Sequence, residues 1–485
     1  MYAMTAEHVK ATDTEAARLG VSTDVLMHRA GEAIAAAALA ENTTGPIAIL
    51  CGPGNNGGDG FAAALRLHAY GCEVDVYAAG PQGEPDAVRA EWKERHDVLP
   101  LATFEDRAGR YAVVIDALLG VGLSRPLEGV LLHAVRAANQ ASTVRLAVDV
   151  PSGVDADRAA VPGEAFQADV TVQLDACKPA SALEPARSRY GRWSCADIGM
   201  PAAARDPRSG RLERSSGLPP DRRTGHKYRR GTLLIVAGSV GYPGAARLAA
   251  LGAHRRGVGL LSVATYASTA GYEPATVGPL PLDVTDPPST LQTLPAKQRQ
   301  AVLVGPGLTA QDAQPLVEMA ATWDGALVLD AGALEGPTLD AGARKSGARP
   351  WITPHAGEAA RLLNTSATEV AGDPLGAAQA LRERWQVGVI LKGPGTVVVD
   401  PDGAWWLIEP GPPALARGGS GDVLAGTIAA SLAIAPQSPG ATVARAVRAH
   451  AAAGVLAFGE HGAGMTASDV AQALPHAKSL DGVRW

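Results

Sequence analysis

A glycine-rich segment near residue 52 combines backbone freedom with polar side chains. Gly52, Gly54 and Gly57 have the G-x-G-x-x-G spacing of a dinucleotide phosphate loop, between an apolar run and an amphipathic run. Glycines alone could serve only to make a tight turn. Such a turn does not require the three polar side chains found here, so we expect these to face a ligand: Asn55, Asn56 and Asp59.

Two later apolar runs end in acidic residues. YAVVID ends at Asp116, and RLAVDV brings Asp149 shortly before Ser152. Because the carboxyl ends of parallel strands meet at one crevice, these residues and Asn56 are expected to converge. Asn56, Asp116 and Ser152 offer hard oxygen donors for a cation, whereas Asp149 is placed to act on a substrate. The alternative is that both aspartates only cap loops.

The run ARGGSGDVLAG in the second half predicts a glycine turn that leads into a helix. Backbone N–H groups from Gly419 to Asp422 would stabilise a phosphate at the helix N-terminus. A carboxylate there is unfavourable for simple phosphate binding. Asp422 instead suits a base that activates a hydroxyl for attack on a phosphoryl group, with helix capping as the alternative.

Two further polar junctions are candidate ligand contacts. LKGPGT offers Lys392 and a glycine turn beside a strand, which predicts a nucleotide contact or only a hairpin. WITPHAGE places His355 and Glu358 where a strand meets a helix. His355 is interpreted as a ligand contact, and a buried structural histidine is the alternative.

Short apolar runs alternate with amphipathic runs on both sides of a region rich in Pro, Gly, Ser and Arg. This alternation predicts α/β domains with parallel sheets covered on both faces. The region between them has the composition of a linker, and a solvated connector explains its arginines more simply than a phosphate patch. We therefore predict a domain at 1–205, a linker at 206–225 and a second domain at 226–485.

The composition and net charge of the chain limit the kinds of molecule that it is expected to bind. The formal charge of −6 over 485 residues gives no electrostatic reason to expect nucleic acid or an anionic membrane, so small-molecule substrates are expected. The four cysteines form no CxxC pair, which argues against a zinc site or a disulfide framework. The charged N-terminus lacks the apolar core of a signal peptide, so a cytoplasmic location is predicted. We also expect a homo-oligomer.

The motifs CGPGNNGGDG, VIDALLGVGLSRP and DVPSGVDAD, in this order, resemble the N-terminal domain of the NAD(P)HX epimerase family over nearly all of residues 1–200. The resemblance implies potassium ligands at Asn56, Asp116 and Ser152 and a substrate contact at Asp149, which we assign as catalytic. It further implies that two loops bind the hydrated cofactor: Asn55, Asn56, Gly57, Gly58 and Asp59 in one, and Gly120, Val121, Gly122, Leu123, Ser124, Arg125 and Pro126 in the other.

The motifs GSVGYPGAA, VGPGL, TPHAGE, LKGPGT and GGSGDVLAG resemble the ADP- or ATP-dependent NAD(P)HX dehydratases, a branch of the ribokinase-like superfamily, over residues 226–475. The resemblance implies Asp422 as the catalytic aspartate and a nucleotide that carries Mg²⁺. It implies substrate contacts at Ala245, Gly307, His355 and Asp422, and nucleotide contacts at Lys392, Gly393, Pro394, Gly395, Thr396 and Gly421. One departure is Gly332, where many relatives carry a second acid after the residue matching Asp330.

Together these features predict two three-layer αβα domains, one Rossmann-like and one ribokinase-like. The predicted function is repair of hydrated nicotinamide cofactors, with epimerisation of NADHX and NADPHX by the first domain and dehydration by the second. The alternative is a ribokinase-like small-molecule kinase fused to a non-catalytic ligand-binding or RNA-binding module. The negative charge and the lack of aromatic residues around the first domain's loops argue against RNA.

Overall fold

The chain forms two compact units, Met1–Gly210 and Arg211–Trp485, in the computed structural model. The residues described are 1–41, 44–80, 87–123, 125–218, 226–268, 277–281, 287–292, 297, 299–335 and 350–482. Ser124 and the last part of the predicted linker, 219–225, lie outside them. Within these ranges no helix has the length and apolar character needed to cross a bilayer. The predicted α/β class is confirmed.

The first unit is built on a seven-stranded sheet whose neighbouring strands are all parallel. From edge to edge the strands are Val98–Pro100, Val74–Ala78, Ile47–Cys51, Val113–Ala117, Val144–Val148, Val170–Leu174 and Arg192–Ala196. The central strand Val113–Ala117 is buried along its whole length, as expected for an apolar strand covered on both faces. The loops that carry the predicted site residues leave the carboxyl ends of this strand and its neighbours.

Helices cover both faces of this sheet and create two apolar cores. The helices are Ala6–Arg18, Thr23–Ala40, Asn55–Ala69, Ala87–Lys93 and Gly129–Gln140. Side chains alternate between the two faces along each strand. In the strand Ile47–Cys51, Ile49 therefore packs in the core on one face of the sheet and Leu50 in the core on the other face. Hydroxyl N-caps at Thr5 and Ser22 fix the starts of the first two helices. The first unit therefore has the predicted three layers.

The second unit contains a larger mixed sheet. Its strands, in spatial order, are Gly210–Leu212, Trp405–Ile408, Thr396–Val399, Gly388–Leu391, Trp351–Ile352, Ala326–Leu329, Ala301–Val304, Thr232–Val236, Leu260–Thr265 and Val277–Pro281. Only Thr396–Val399 runs antiparallel to both of its neighbours among the described pairings. It follows the strand Gly388–Leu391 through a hairpin that contains Lys392. This hairpin supplies one wall of the second candidate site.

Among the described residues, the helices of the second unit are Pro243–Arg256, Pro287–Gln292, Ala310–Ala320, Ala356–Leu363, Ala367–Gly372, Pro374–Trp385, Ser420–Ile434, Pro439–His461 and Ala467–Ala473. The helix Ser420–Ile434 packs against Pro243–Arg256 and the central strands, and its side chains are buried on almost every side. A helix that is apolar all round belongs in a core. Its N-terminus, which carries Asp422, is thereby held rigidly.

The segment 206–225, whose composition predicts a linker, contains the strand Gly210–Leu212. This strand pairs in parallel with Trp405–Ile408. Shortly after it, the backbone N–H and the hydroxyl of Ser216 both donate to Oδ1 of Asp481 at 2.6 Å. Residues around 210–216 are therefore part of the second unit's framework.

We propose that the units fold independently and that the second requires this segment for full stability. A fragment 226–485 should have a lower unfolding midpoint than a fragment 211–485, because it lacks the edge strand and the two hydrogen bonds to Asp481. The loss is on the order of 3 kcal/mol, or about 10 °C for a unit of this size. Thermal unfolding followed by circular dichroism measures it, and Ser216→Ala in the longer fragment should reproduce part of the shift. Equal midpoints for the two fragments would contradict the assignment.

Candidate active sites

A cavity of about 700 Å³ opens at the carboxyl edge of the first unit's sheet. It is lined by residues of both predicted loops, namely Asn55, Asn56 and Asp59 from the first and Gly120, Val121, Gly122, Leu123, Arg125 and Pro126 from the second. Asp149 also lines it. A cavity of this size suits a small-molecule ligand. The structure therefore brings most of the predicted cofactor-binding residues to one place.

Gly57 and Gly58 are buried in the first turn of the helix Asn55–Ala69 and do not line this cavity. A Cβ atom at Gly57 would lie 1.9 Å from the carbonyl oxygen of Gly52. Arg89 donates to the carbonyl oxygens of Gly52 and Gly54, at 3.2 and 2.6 Å. Gly57 thus allows a close backbone approach that presents its polar neighbours Asn55 and Asn56 to the cavity.

Asp116 and Ser152 meet behind the cavity wall. Oδ1 of Asp116 accepts a hydrogen bond from the Ser152 hydroxyl at 2.7 Å, and Oδ2 accepts one from the Ser152 N–H at 2.7 Å. The amide of Asn56 donates to the carbonyl oxygen of Leu119 at 3.0 Å, and the Leu119 N–H donates to the Ser152 hydroxyl at 3.0 Å. The three predicted potassium ligands therefore converge on the loop that starts at Leu118.

The chemistry of this cluster fits a monovalent cation. Asp116 is fully buried, and the described part of the chain provides no lysine or arginine partner for it. Burial raises the pKa of Asp116 to about 6, although hydrogen bonds from Ser152 and Leu118 oppose the rise. One buried carboxylate with neutral oxygens is a donor set for a singly charged hard cation rather than a divalent one.

Asp149 is held in a strained and well-connected position. Its backbone φ is +64°, a conformation that non-glycine residues adopt rarely and often at functional sites. Lys178, with only 1% of its side chain exposed, donates to Oδ1 of Asp149, and the N–H of Leu174 donates to the same oxygen at 2.9 Å. Lys178 also lines the cavity, as does Asp13 from the first helix.

In the second unit, the helix Ser420–Ile434 begins after Gly419 with no side-chain cap. The N–H of Ser420 donates to the carbonyl oxygen of Arg417 at 3.4 Å, which leaves the N–H groups of Gly421 and Asp422 for an anion. Asp422 lies in this first turn, and burial raises its pKa to about 6, with a further rise from Asp330 and an opposing effect of Lys392. A carboxylate that titrates close to neutral pH suits a general base.

Lys392 forms the centre of a polar cluster beside Asp422. Its Nζ donates to Oδ1 of Asp330 at 3.0 Å and lies 4.0 Å from Oε2 of Glu358. Burial lowers the pKa of Lys392, but these carboxylates and Asp422 outweigh burial and raise it. A Cβ at Gly421 would lie 3.7 Å from this Nζ. The predicted nucleotide contacts Lys392 and Gly421 are thus neighbours.

His355 begins the helix Ala356–Leu363 and caps it. Its Nδ1 accepts hydrogen bonds from the N–H groups of Gly357 and Glu358 at 3.0 and 3.3 Å, while Glu358 accepts from the His355 N–H at 2.8 Å. The ring must therefore carry its proton on Nε2 when neutral. The alternative of a buried structural histidine is wrong, since 57% of the side chain is exposed. Its Nε2 lies 3.6 Å from Oε2 of Glu358 on the exposed side of the ring.

The remaining predicted residues fall into two groups. Gly307 has a φ of +68°, and a Cβ there would lie 2.8 Å from Cβ of Ala245, so these two predicted substrate contacts are adjacent. The predicted nucleotide-binding residues 392–396 form the turn of the hairpin. Gly393 and Pro394 are exposed in this turn, Gly395 follows them, and Thr396 begins the next strand. Contacts of all these residues with ligands stay predictions.

Sequence reasoning missed several polar residues of the first cavity, among them Lys178 and Asp13. Lys178 follows the strand Val170–Leu174, so the rule that strand ends meet at one edge could have identified it. Asp13 lies in the helix Ala6–Arg18, outside every glycine motif, and no sequence signal marks it. Arg89, which fixes the glycine loop, was likewise not predicted.

Known proteins resemble both units. Residues 23–180 match a family model described as YjeF-related protein N-terminus, and residues 233–476 match one described as NAD(P)H-hydrate dehydratase. A bifunctional NAD(P)H-hydrate repair enzyme from Coxiella burnetii is 36% identical over 423 residues, covering 84% of this chain and 85% of that protein. A protein of the same name from Thermofilum pendens is 33% identical over 515 residues, covering 97% and 94%. A solved ADP/ATP-dependent NAD(P)H-hydrate dehydratase from Bacillus subtilis, co-crystallised with ATP and Mg²⁺, is 32% identical, with a TM-score of 0.47 and coverage of 54% of this chain and 93% of that one.

Two α/β units, each with a glycine-rich loop and buried carboxylates at the carboxyl ends of its strands, define a two-site enzyme. The similarity to repair enzymes extends over 84% of the chain or more in both relatives. The chain belongs to the family of bifunctional NAD(P)H-hydrate repair enzymes. The family predicted from the motifs is confirmed.

Proposed function

We propose that the first unit interconverts the epimers of hydrated NADH and NADPH, and that the second dehydrates one epimer with consumption of ADP or ATP. The observation that carries the proposal is Asp422 in the uncapped first turn of its helix, beside Lys392. This arrangement supports the proposal of a base next to a phosphate site. The test is nucleotide-dependent recovery of NADH from its hydrate by the purified chain.

The dehydration chemistry follows from the charges around Asp422. Its carboxylate would accept the proton of the ring hydroxyl as that oxygen attacks the terminal phosphoryl group. Lys392 and the N–H groups at the start of the helix would stabilise the negative charge of the transferred group. Phosphate then leaves and the ring double bond returns, because phosphate is a far better leaving group than hydroxide.

Mg²⁺ would bind together with the nucleotide, through its phosphates, rather than at a site formed only by protein side chains. Among the described residues no group of three or more His, Cys, Asp or Glu side chains could hold a metal ion. Mg²⁺ usually binds through substrate phosphates with one or two carboxylates. It would neutralise phosphate charge during transfer.

In the first unit, Asn56, Asp116 and Ser152 would hold K⁺. The buried and uncompensated carboxylate of Asp116 supports this assignment. The cation would supply a positive charge that keeps Asp116 ionised and fixes the loop from Leu118 to Gly122 along the cavity. The predicted homo-oligomer and cytoplasmic location stay predictions.

The pH dependence of dehydration should report Asp422. Because the base must be ionised, the rate should rise with pH and reach a plateau above about pH 6, with roughly a tenfold loss per unit below that value. Asp330→Asn removes a negative neighbour that raises the pKa of Asp422, so the midpoint should move to lower pH. Initial rates at saturating nucleotide measure both profiles. A wild-type rate that stays constant down to pH 5 would exclude Asp422 as the base.

A further inference from the structure

Asp59 is the one carboxyl group of the first cavity that is both buried and without a hydrogen-bond donor in the described part of the chain. It is 9% exposed and lines the cavity from the helix Asn55–Ala69. Buried polar groups are normally paired, so an unpaired carboxyl that faces a cavity indicates a group reserved for a ligand. The proposed cofactor-hydrate site thus contains an unused acid or base.

The neighbouring Asp149 has the opposite environment. It accepts hydrogen bonds from Lys178 and from the N–H of Leu174. Lys178 has further acceptors in the carbonyl oxygens of Leu174 and Ala176, at 3.1 and 3.0 Å. Asp149 is therefore held in an ion pair, and the three acceptors of Lys178 leave no donor of that residue for Asp59.

The charged groups around Asp59 favour its protonated form. Burial raises its pKa well above the usual range, and the negative charges of Asp149 and Asp13 raise it further. Lys178 and Arg89 act in the opposite direction without reversing the shift. Two carboxyl groups in one cavity with divergent environments are the arrangement that assigns one as acid and the other as anion.

We propose that Asp59 is the acid that protonates the hydroxyl as it leaves the hydrated nicotinamide ring during epimerisation. The inference rests on the proposed function of this unit. Water adds to an enamine at the carbon bonded to nitrogen, so the hydroxyl of the hydrate is on the carbon next to the ring nitrogen. Its C–O bond breaks while the nitrogen lone pair forms a C=N bond, and the proton from Asp59 converts the departing oxygen to water.

The reverse step on the other face completes the inversion. A water molecule adds to the opposite side of the same carbon, the C=N electrons return to nitrogen, and the proton released by that water returns to the carboxylate of Asp59. No atom is gained or lost overall. Once Asp59 has given up its proton, its carboxylate and that of Asp13, beside the neutral ion pair of Asp149 and Lys178, leave two negative charges, which stabilise the cationic ring.

Oxygen-18 labelling tests the inference on the wild-type chain. In ¹⁸O-enriched water, each inversion should incorporate one solvent oxygen into the hydrate, after subtraction of uncatalysed exchange. Epimerisation without label would overturn the proposal, because the C–O bond would then stay intact. If the wild-type chain fails to epimerise at all, the proposed function of the unit fails instead.

Asp59→Asn separates a catalytic role from a structural one. The amide has nearly the same shape but cannot supply an acidic proton, so epimerisation and label incorporation should both fall about 100-fold or more. The unfolding midpoint should not fall, since a buried carboxyl without a partner is removed. Retained binding of the hydrate, measured by calorimetry, would exclude simple loss of affinity.

Glu91→Gln, on the exposed face of the helix Ala87–Lys93, is the matched control. Wild-type inversion rates in Asp59→Asn would overturn the inference while leaving the proposed function intact.

Discussion

Replacing Asp422 with asparagine should abolish nucleotide-dependent dehydration and leave epimerisation unchanged. The side chain keeps its size but can no longer accept the hydroxyl proton, and removal of a general base commonly costs 10²-fold to 10⁴-fold. Nucleotide affinity should change little or increase, because a negative charge beside the phosphate site is lost. Rates of NADH recovery and of epimer exchange, measured separately, give the two results.

A matched control for Asp422→Asn is Glu383→Gln in the same unit. Glu383 is exposed on the helix Pro374–Trp385, so its replacement should leave both activities unchanged. Dehydration by Asp422→Asn at near the wild-type rate would remove this residue from the chemistry. Parallel loss of both activities would instead indicate a folding defect.

Replacing Asp116 with alanine should have the second largest effect, a loss of epimerisation of about 10-fold to 100-fold. The substitution removes a carboxylate that accepts hydrogen bonds from Ser152 and from the N–H of Leu118, at the root of the loop that lines the cavity. It also removes the proposed charged ligand for K⁺. Dehydration should persist, since Asp422 belongs to the other unit.

The cation hypothesis requires a second comparison. Wild-type epimerisation should fall when potassium is replaced by tetramethylammonium, whereas the residual rate of Asp116→Ala should be insensitive to that exchange. Asp116→Asn serves as the matched variant for shape, because it preserves the volume of the side chain while it removes the charge and replaces one of the two accepting oxygens with an N–H donor. Unchanged epimerisation in both the variant and the potassium-free wild type would eliminate the cation hypothesis.

The loops of the first site were predictable because their signals are local or follow from the rules of parallel sheets. The spacing of Gly52, Gly54 and Gly57 predicts a strand, turn and helix, and the structure has all three. The convergence of Asp116 and Ser152 follows from the parallel strands that precede them. The contact of Ser152 with Asp116 at 2.7 Å confirms that part of the reasoning.

Other parts of the site depend on tertiary packing that no short motif encodes. Asp13 reaches the cavity only because its helix packs at the carboxyl edge of the sheet. The ion pair of Lys178 with Asp149 joins residues from two different strand ends. The sequence therefore identified Asp149 as a polar strand end, but the motifs did not reveal its partner Lys178.

In the second unit, the composition of the segment 206–225 predicts a linker, whereas the strand pairing shows that part of this segment belongs to the sheet. The segment that contains Gly210–Leu212 is rich in Gly, Pro and Arg and has few large apolar residues. This composition is typical of a linker between domains. Its strand forms because Trp405–Ile408, far along the chain, offers an unpaired edge. Such a pairing is a property of the folded sheet, so local patterns did not predict it.

The most direct test of the account is conversion of a mixture of hydrated NADH epimers by the purified chain. With ADP or ATP present, the wild-type chain should restore NADH absorbance from both epimers and consume nucleotide in equal amount. With Asp422→Asn the absorbance should not return although the epimers still interconvert, and with Asp116→Ala one epimer should be consumed quickly while the other persists. Absence of NADH recovery by the wild-type chain, or recovery that does not depend on added nucleotide, would contradict the central claim.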